Sequence, residues 1–222
     1  MLYLKVSIYG KPGIFFDKLF RKFPEEQLSK IVLIALLGSP RRNGNTETVL
    51  DAAISGAQGA GAYVEKIVLD MLNIKPCKEC YTCSKNGHCV IEDDMQPLYE
   101  KILGSNRIIL ASPIFFMNFS AQSKLMIDRC QCFWERKYDL KEKLPDEVNG
   151  VLRKGSIIAV GGAHNRNLFE GILMTARVFF DAINVKMDGT LLFRGADDKD
   201  YMKGRPDLLK LARQFGEEFV SV

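Results

Sequence analysis

Residues 31–37, IVLIALL, form an unbroken apolar run that stops at once on Gly38-Ser39-Pro40. A run without polar alternation is apolar on both faces, as a strand inside a parallel sheet must be. Shorter or less pure versions of the signature return at 63–69, 107–111, 156–160 and 185–193. Segments with helical spacing lie between and after them, predicted over 46–59, 95–104, 120–137, 167–183 and 206–221. In the first, Val49, Leu50, Ala53, Ile54 and Ala57 share one side. Parallel neighbours require crossovers, so the alternation predicts an α/β doubly wound five-stranded parallel sheet with helices on both faces.

For five strands the natural order is the flavodoxin-like 2-1-3-4-5, whose ligand crevice opens between the first and third strands. The loops after those strands, 38–45 and 112–119, have the most distinctive composition in the chain. The segment 138–155 is charged and holds Pro145 and Gly150, so it reads as a surface excursion. Residues 1–30 lie outside the strand count and read as an N-terminal arm, packed on the core or on a second subunit. Residues 31–222 then form one domain carrying a long loop at 70–94. A 25-residue connection is long for a compact domain, which marks it as functional.

Composition limits the partners. The 222 residues are 47% hydrophobic and 26% charged, the balance of an ordinary globular chain. Thirty-one basic against 27 acidic residues give +4, too little for a nucleic-acid protein. The longest strongly apolar run falls far short of the ~18–20 residues that cross a bilayer, and no secretory leader is recognisable. A cytoplasmic, reducing compartment follows, where clustered cysteines bind metal or do redox chemistry more often than they form structural bridges.

Four of the six cysteines are clustered: Cys77-x2-Cys80-x2-Cys83-x5-Cys89. Thiolates at two-residue spacing on a curling loop converge on one face, and Asn86-Gly87 turns the chain back to bring in the fourth. Soft thiolate sets suit zinc or iron–sulfur. Zinc sites favour two separated pairs, whereas a packed x2-x2 run resembles that of bacterial ferredoxins, and the absence of a second run leaves four ligands for one [4Fe–4S] cluster. Zinc, unligated thiols and a disulfide-forming set are the alternatives. Cys130 and Cys132, two apart on a helix, read as packing thiols, and His88 as a solvated loop residue.

The first βα loop, Gly38-Ser-Pro-Arg-Arg-Asn-Gly-Asn-Thr46, offers free N–H groups and a helix dipole to a phosphate. Ser39, Asn43, Asn45 and Thr46 add donors, and Arg41 or Arg42 adds charge. This loop resembles the FMN-phosphate loop of the flavodoxin-like NADPH-dependent FMN reductase superfamily. The segment Ser112 to Arg129 is similar to a second motif of that superfamily. The resemblance implies that Pro113, Ile114, Phe115, Phe116 and Asn118 follow the isoalloxazine edge and that Gly161-Gly162 opens a third flavin loop. Phe115 stands where a tyrosine is frequent, and Phe115, Phe116 and Phe119 also suit plain core.

The cysteine spacing, with Val90 to Met95 after it, resembles the iron–sulfur flavoproteins of anaerobic microbes. That resemblance runs from about Ile31 to the end of the chain and implies FMN and one [4Fe–4S] cluster per chain. It further implies a homo-oligomer (dimer or tetramer), exchange of electrons with a ferredoxin-like carrier, and reduction of dioxygen or peroxide. The rival readings are an NAD(P)H-dependent FMN or quinone reductase with a structural cysteine loop, and a zinc-stabilised flavodoxin-like binding module.

Overall fold

The computed structural model describes residues 31–221, so the predicted arm at 1–30 lies outside the described residues. Strand β1 (Val32–Leu37) has every side chain fully buried. It pairs in parallel with β2 (Tyr63–Val68) on one side and with β3 (Arg107–Pro113) on the other, Val32 opposite Tyr63 and Leu33 opposite Arg107. The hairpin strands β4 (Glu147–Val148) and β5 (Val151–Leu152) stand apart from this sheet. Strand β6 (Lys154–Val160) follows β3, and β7 (Lys186–Phe193) closes the sheet. The order β2-β1-β3-β6-β7 is the expected 2-1-3-4-5 once the hairpin is set aside. Chain direction across the sheet therefore reverses between β1 and β3.

Strand periodicity divides the core in two. Val32, Ile34, Leu36, Ile108, Leu110, Ile157 and Ala159 face one layer, with α3 (Met95–Leu103), α4 (Ala121–Arg129) and α6 (Glu170–Ala182). Leu33, Ala35, Leu37, Ile109, Ala111, Ile158 and Val160 face the other, with α1 (Asn45–Gly59) and α7 (Pro206–Val220). The cysteine loop lies against the first layer, where Cys83 and Cys89 pack on the core. It contains one short helical turn, α2 (Cys83–Asn86), closed by Gly87 at φ 73° with its N–H on the Cys83 carbonyl. No helix among the described residues is long and apolar enough to cross a membrane.

On the second layer α1 and α7 cross backbone to backbone. A Cβ on Gly216 would stand 1.9 Å from the Ala53 carbonyl oxygen, and one on Gly56 1.9 Å from that of Arg213. Because the obstacles are backbone atoms, Gly216→Ala must push the helices apart. Its expected cost is about 1–3 kcal/mol, read as a lowered urea midpoint with an unchanged slope.

The structure departs from expectation in three places. The helix predicted over 120–137 stops at Arg129, restarts as α5 (Gln131–Trp134) and ends in a π turn at Glu135–Asp139. The helix predicted from residue 167 starts at Glu170, because the Asn165 side chain holds Asn167 N–H at 2.9 Å in a turn. The excursion at 138–155 is not wholly superficial. It folds back as the β4–β5 hairpin around Asn149-Gly150 and delivers Arg153 into the interior. There the guanidinium donates to the carbonyls of Ile102, Ser105, Pro145 and Ile183. Ile102 belongs to the last turn of α3 and Ile183 follows α6, so one arginine serves carbonyls that helix ends leave free. Burial without a counter-charge pulls its pKa down to about 10.

Candidate functional site: a phosphate loop and a cysteine cavity

The loop after β1 enters α1 with Gly44 as N-cap and no side-chain cap, leaving first-turn N–H groups available to an anion. Gly38 lies tight against α4: a Cβ there would stand 1.8 Å from Ser123 Oγ and displace that hydroxyl, and the Gly38 N–H bonds to the Ala111 carbonyl at 2.8 Å. Buried Glu47 organises the loop, accepting the Asn43 N–H at 2.5 Å, Arg42 at 3.0 Å and Lys66 at 2.8 Å. Burial pushes its carboxyl upward, but the Lys66 and Asn43 hydrogen bonds and the two cations outweigh this, leaving its pKa below 4.5.

With Arg42 held by Glu47, exposed Arg41 is the loop cation with no ion pair among the described residues. The Ser39 hydroxyl is turned inward onto the Arg41 backbone. Thr46 is buried. Asn45, expected to offer its amide to a phosphate, instead donates to the Ala196 and Asp198 carbonyls and accepts the Met202 N–H. It ties this loop to the one after β7, a long-range bond that no local pattern announces.

The loop after β3 is a tight, strained turn. Phe115 and Asn118 exchange reciprocal N–H···O bonds at 3.0 Å, and between them Phe116 and Met117 take φ values of 47° and 64°. A left-handed conformation costs a residue with a Cβ ~1–2 kcal/mol, and such strain collects at ligand sites. Phe116 projects completely, at 104% relative exposure, and Phe115 is 47% exposed, so neither is core; Phe119 is buried. Pro113 pairs with Val160, Ile114 N–H bonds to the Val160 carbonyl, and the Asn118 side chain accepts the Phe119 N–H. In the third loop, the Gly161 N–H and carbonyl bond to Phe193 and Ala196, and Gly162 lies against Asp197. Gly161 thus joins two loops, with its N–H already committed.

Cys77, Cys80, Cys83 and Cys89 line one cavity of about 370 Å³, with Arg129, Cys132 and Glu135 across from them. The loop reaches this arrangement through two residues in left-handed conformation, Glu79 at φ 53° and Tyr81 at φ 55°. Alternation of left- and right-handed residues turns backbone N–H groups inward, a geometry that suits anionic groups including iron–sulfur centres. The Cys80 thiol is held below its ordinary pKa, chiefly by the Thr82 backbone N–H and hydroxyl. Cys83 is held above, chiefly by burial. No three His, Cys, Asp or Glu side chains among the described residues converge as a single metal ion requires. Around one Zn²⁺, bonds of ~2.3 Å would put sulfurs about 3.8 Å apart.

At its base the loop is locked. Asp93 receives the Lys75 N–H at 2.9 Å, the Met95 N–H at 3.0 Å and the Arg129 guanidinium, both side chains of the ion pair being fully buried. Arg129 also donates to the Lys75 and Ile91 carbonyls, and Gln96 to those of Cys89 and Ile91. Helix α4 connects the two regions: Ser120 caps it and bonds to Gly38 at the phosphate-loop end, and Arg129 closes it at the cysteine end. Nine helical residues rise about 13 Å.

The family model for NADPH-dependent FMN reductase matches residues 30–166, more than half of the chain. The chain belongs to this family. An iron–sulfur flavoprotein of Archaeoglobus fulgidus is 37% identical over 154 residues, 62% of this chain and 70% of that protein. One from Methanosarcina thermophila is 32% identical over 133 residues, 60% of this chain and 64% of that protein. The match to the second thus spans just under two thirds of its length. The structure of NAD(P)H:quinone oxidoreductase from Methanothermobacter marburgensis is similar in fold, with a TM-score of 0.64 at 18% identity over 87% of this chain and 98% of that one.

As a member of the FMN reductase family, grouped with its iron–sulfur flavoproteins, the chain is an FMN-dependent oxidoreductase. Three residues at the cysteine cavity escaped the sequence reading. Arg129, Cys132 and Glu135 follow one another at intervals of three, the spacing of one helix face. Cys132, read as a packing thiol, does line the cavity. It stays a thiol, its pKa pushed up to about 12 mainly by burial.

Proposed function

We propose that this chain is an electron-transfer flavoprotein whose Cys77, Cys80, Cys83 and Cys89 hold one [4Fe–4S] cluster beside an FMN site. The observation that carries the reading is the single cavity shared by all four cysteines. Its donor chemistry fits the group: four soft sulfurs on one cavity, with left-handed backbone turns at Glu79 and Tyr81 between them. When bound, the cluster handles single electrons and FMN one or two.

The chain's own residues do the positioning. First-turn N–H groups of α1 and Arg41 hold the FMN phosphate, with Asn43 shaping the loop and Ser39 and Thr46 packed beneath it. Pro113 to Asn118 border the isoalloxazine, and Phe116 shields it from water. The loop of Gly161 and Gly162 borders the flavin as the joint between the loops after β6 and β7. No side chain is needed as general acid or base. The electron donor is a ferredoxin-type carrier, the terminal acceptor dioxygen or peroxide, and the working form a homo-oligomer.

Anaerobic stopped-flow mixing tests this. Flavin absorbance should bleach rapidly with a reduced ferredoxin and slowly with NADPH or NADH, and Cys80→Ala should abolish the ferredoxin-driven phase. Rapid bleaching by NAD(P)H, undiminished in Cys80→Ala, would instead establish a reductase with a structural cysteine loop.

A further inference from the structure

Two buried side-chain atoms among the described residues have no hydrogen-bond partner: Arg129 Nε and Glu135 Oε2. Both residues line the cysteine cavity. Their other polar atoms are committed. Arg129 directs Nη1 to Asp93 and the Lys75 carbonyl and Nη2 to the Ile91 carbonyl. Glu135 Oε1 accepts from Gln131 Nε2 at 3.0 Å. An unpaired buried donor or acceptor is costly, more so on a charged group, and is tolerated where a ligand completes it. The leftover Arg129 donor suits an anionic occupant, whereas such an occupant offers no donor to Glu135 Oε2, which shares the cavity with it as a like charge. Glu135 opens the π turn, a distortion that recurs at functional sites.

We infer that Arg129 and Glu135 are positioning residues that bias cluster reduction in opposite directions. This rests on the cavity being the cluster site. Reduction adds one electron, delivered by the ferredoxin-type carrier, to an already anionic four-thiolate group, and no bond forms or breaks. The Arg129 cation favours the more negative reduced state. The Glu135 carboxylate disfavours it. Both side chains are themselves buried, which strengthens their charge–charge terms, although Cys77 and Cys80 on the same cavity are exposed.

The test is an anaerobic redox titration of the full chain, following the cluster by electron paramagnetic resonance and the flavin by absorbance in the same sample. Glu135→Gln keeps the oxygen that Gln131 grips and removes the charge. It should shift the one-electron equilibrium at least tenfold toward the reduced cluster, 59 mV, with iron content and flavin potential unchanged. Arg129→Lys keeps a cation for Asp93 but removes the Nε donor and draws the charge back from the cavity, so it should shift the equilibrium the other way by less than Glu135→Gln does. If the lysine variant fails to fold, Glu135→Gln decides alone. A cluster potential in Glu135→Gln that stays put or falls overturns the inference while leaving the cluster assignment standing. Wild-type protein without iron and sulfide overturns the assignment itself.

Discussion

Arg129→Ala is expected to destabilise the protein by about 3–5 kcal/mol, because it strands a buried carboxylate rather than merely removing a contact. Arg129 and Asp93 form an ion pair with both side chains fully buried, and the same guanidinium donates to two loop carbonyls, those of Lys75 and Ile91. In the native protein, burial pushes the Asp93 carboxyl up. Hydrogen bonds from Arg129, Lys75 and Met95, together with the arginine charge, outweigh it and hold the pKa below 3.8. A depressed carboxylate contributes its stability in full above the unfolded value near 3.8 and loses it as pH falls through the lower folded one.

In Arg129→Ala the burial effect remains and the largest opposing one is gone, so the folded pKa rises. If it passes the unfolded value the sign reverses, and acidification then relieves the variant while weakening the wild type. Urea midpoints measured between neutral pH and pH ~3 should converge for the two proteins. A constant gap across that range would mean that Asp93 is not the stranded charge.

Cys83→Ser is expected to remove most of the iron and sulfide while FMN binding survives. Cys83 is half-buried against the first core layer and begins the helical turn that Gly87 closes, so its sulfur is among the better fixed of the four. The flavin loops lie at the other end of α4, so the flavin spectrum should remain. Iron, sulfide and FMN assays on anaerobically purified variant and wild type read the outcome. Undiminished iron in the variant would remove Cys83 from the ligand set.

The parts legible in the sequence were those written in local periodicity. The apolar run at 31–37 specified β1, and the cysteine spacing with Asn86-Gly87 specified a loop that brings four sulfurs to one cavity. What escaped was carried by partners far apart in the chain. Asp93 and Arg129 are 36 residues apart, and Asn45 reaches Asp198 across 153. Arg153 lay in a charged stretch that reads as surface, yet the free carbonyls at two helix ends draw it inside. The break at Cys130 and the π turn that Glu135 opens leave no trace in propensity.

The central claim is that the cysteine cavity holds one cluster beside one flavin. Its most direct test is quantitative: iron, acid-labile sulfide and FMN per chain in protein purified without oxygen, with a redox-dependent paramagnetic signal recorded on the same sample. The account predicts iron and sulfide in equal amounts, about four of each per FMN, and a signal appearing on one-electron reduction. Stoichiometric zinc, or FMN-loaded protein with neither iron nor sulfide, would contradict it.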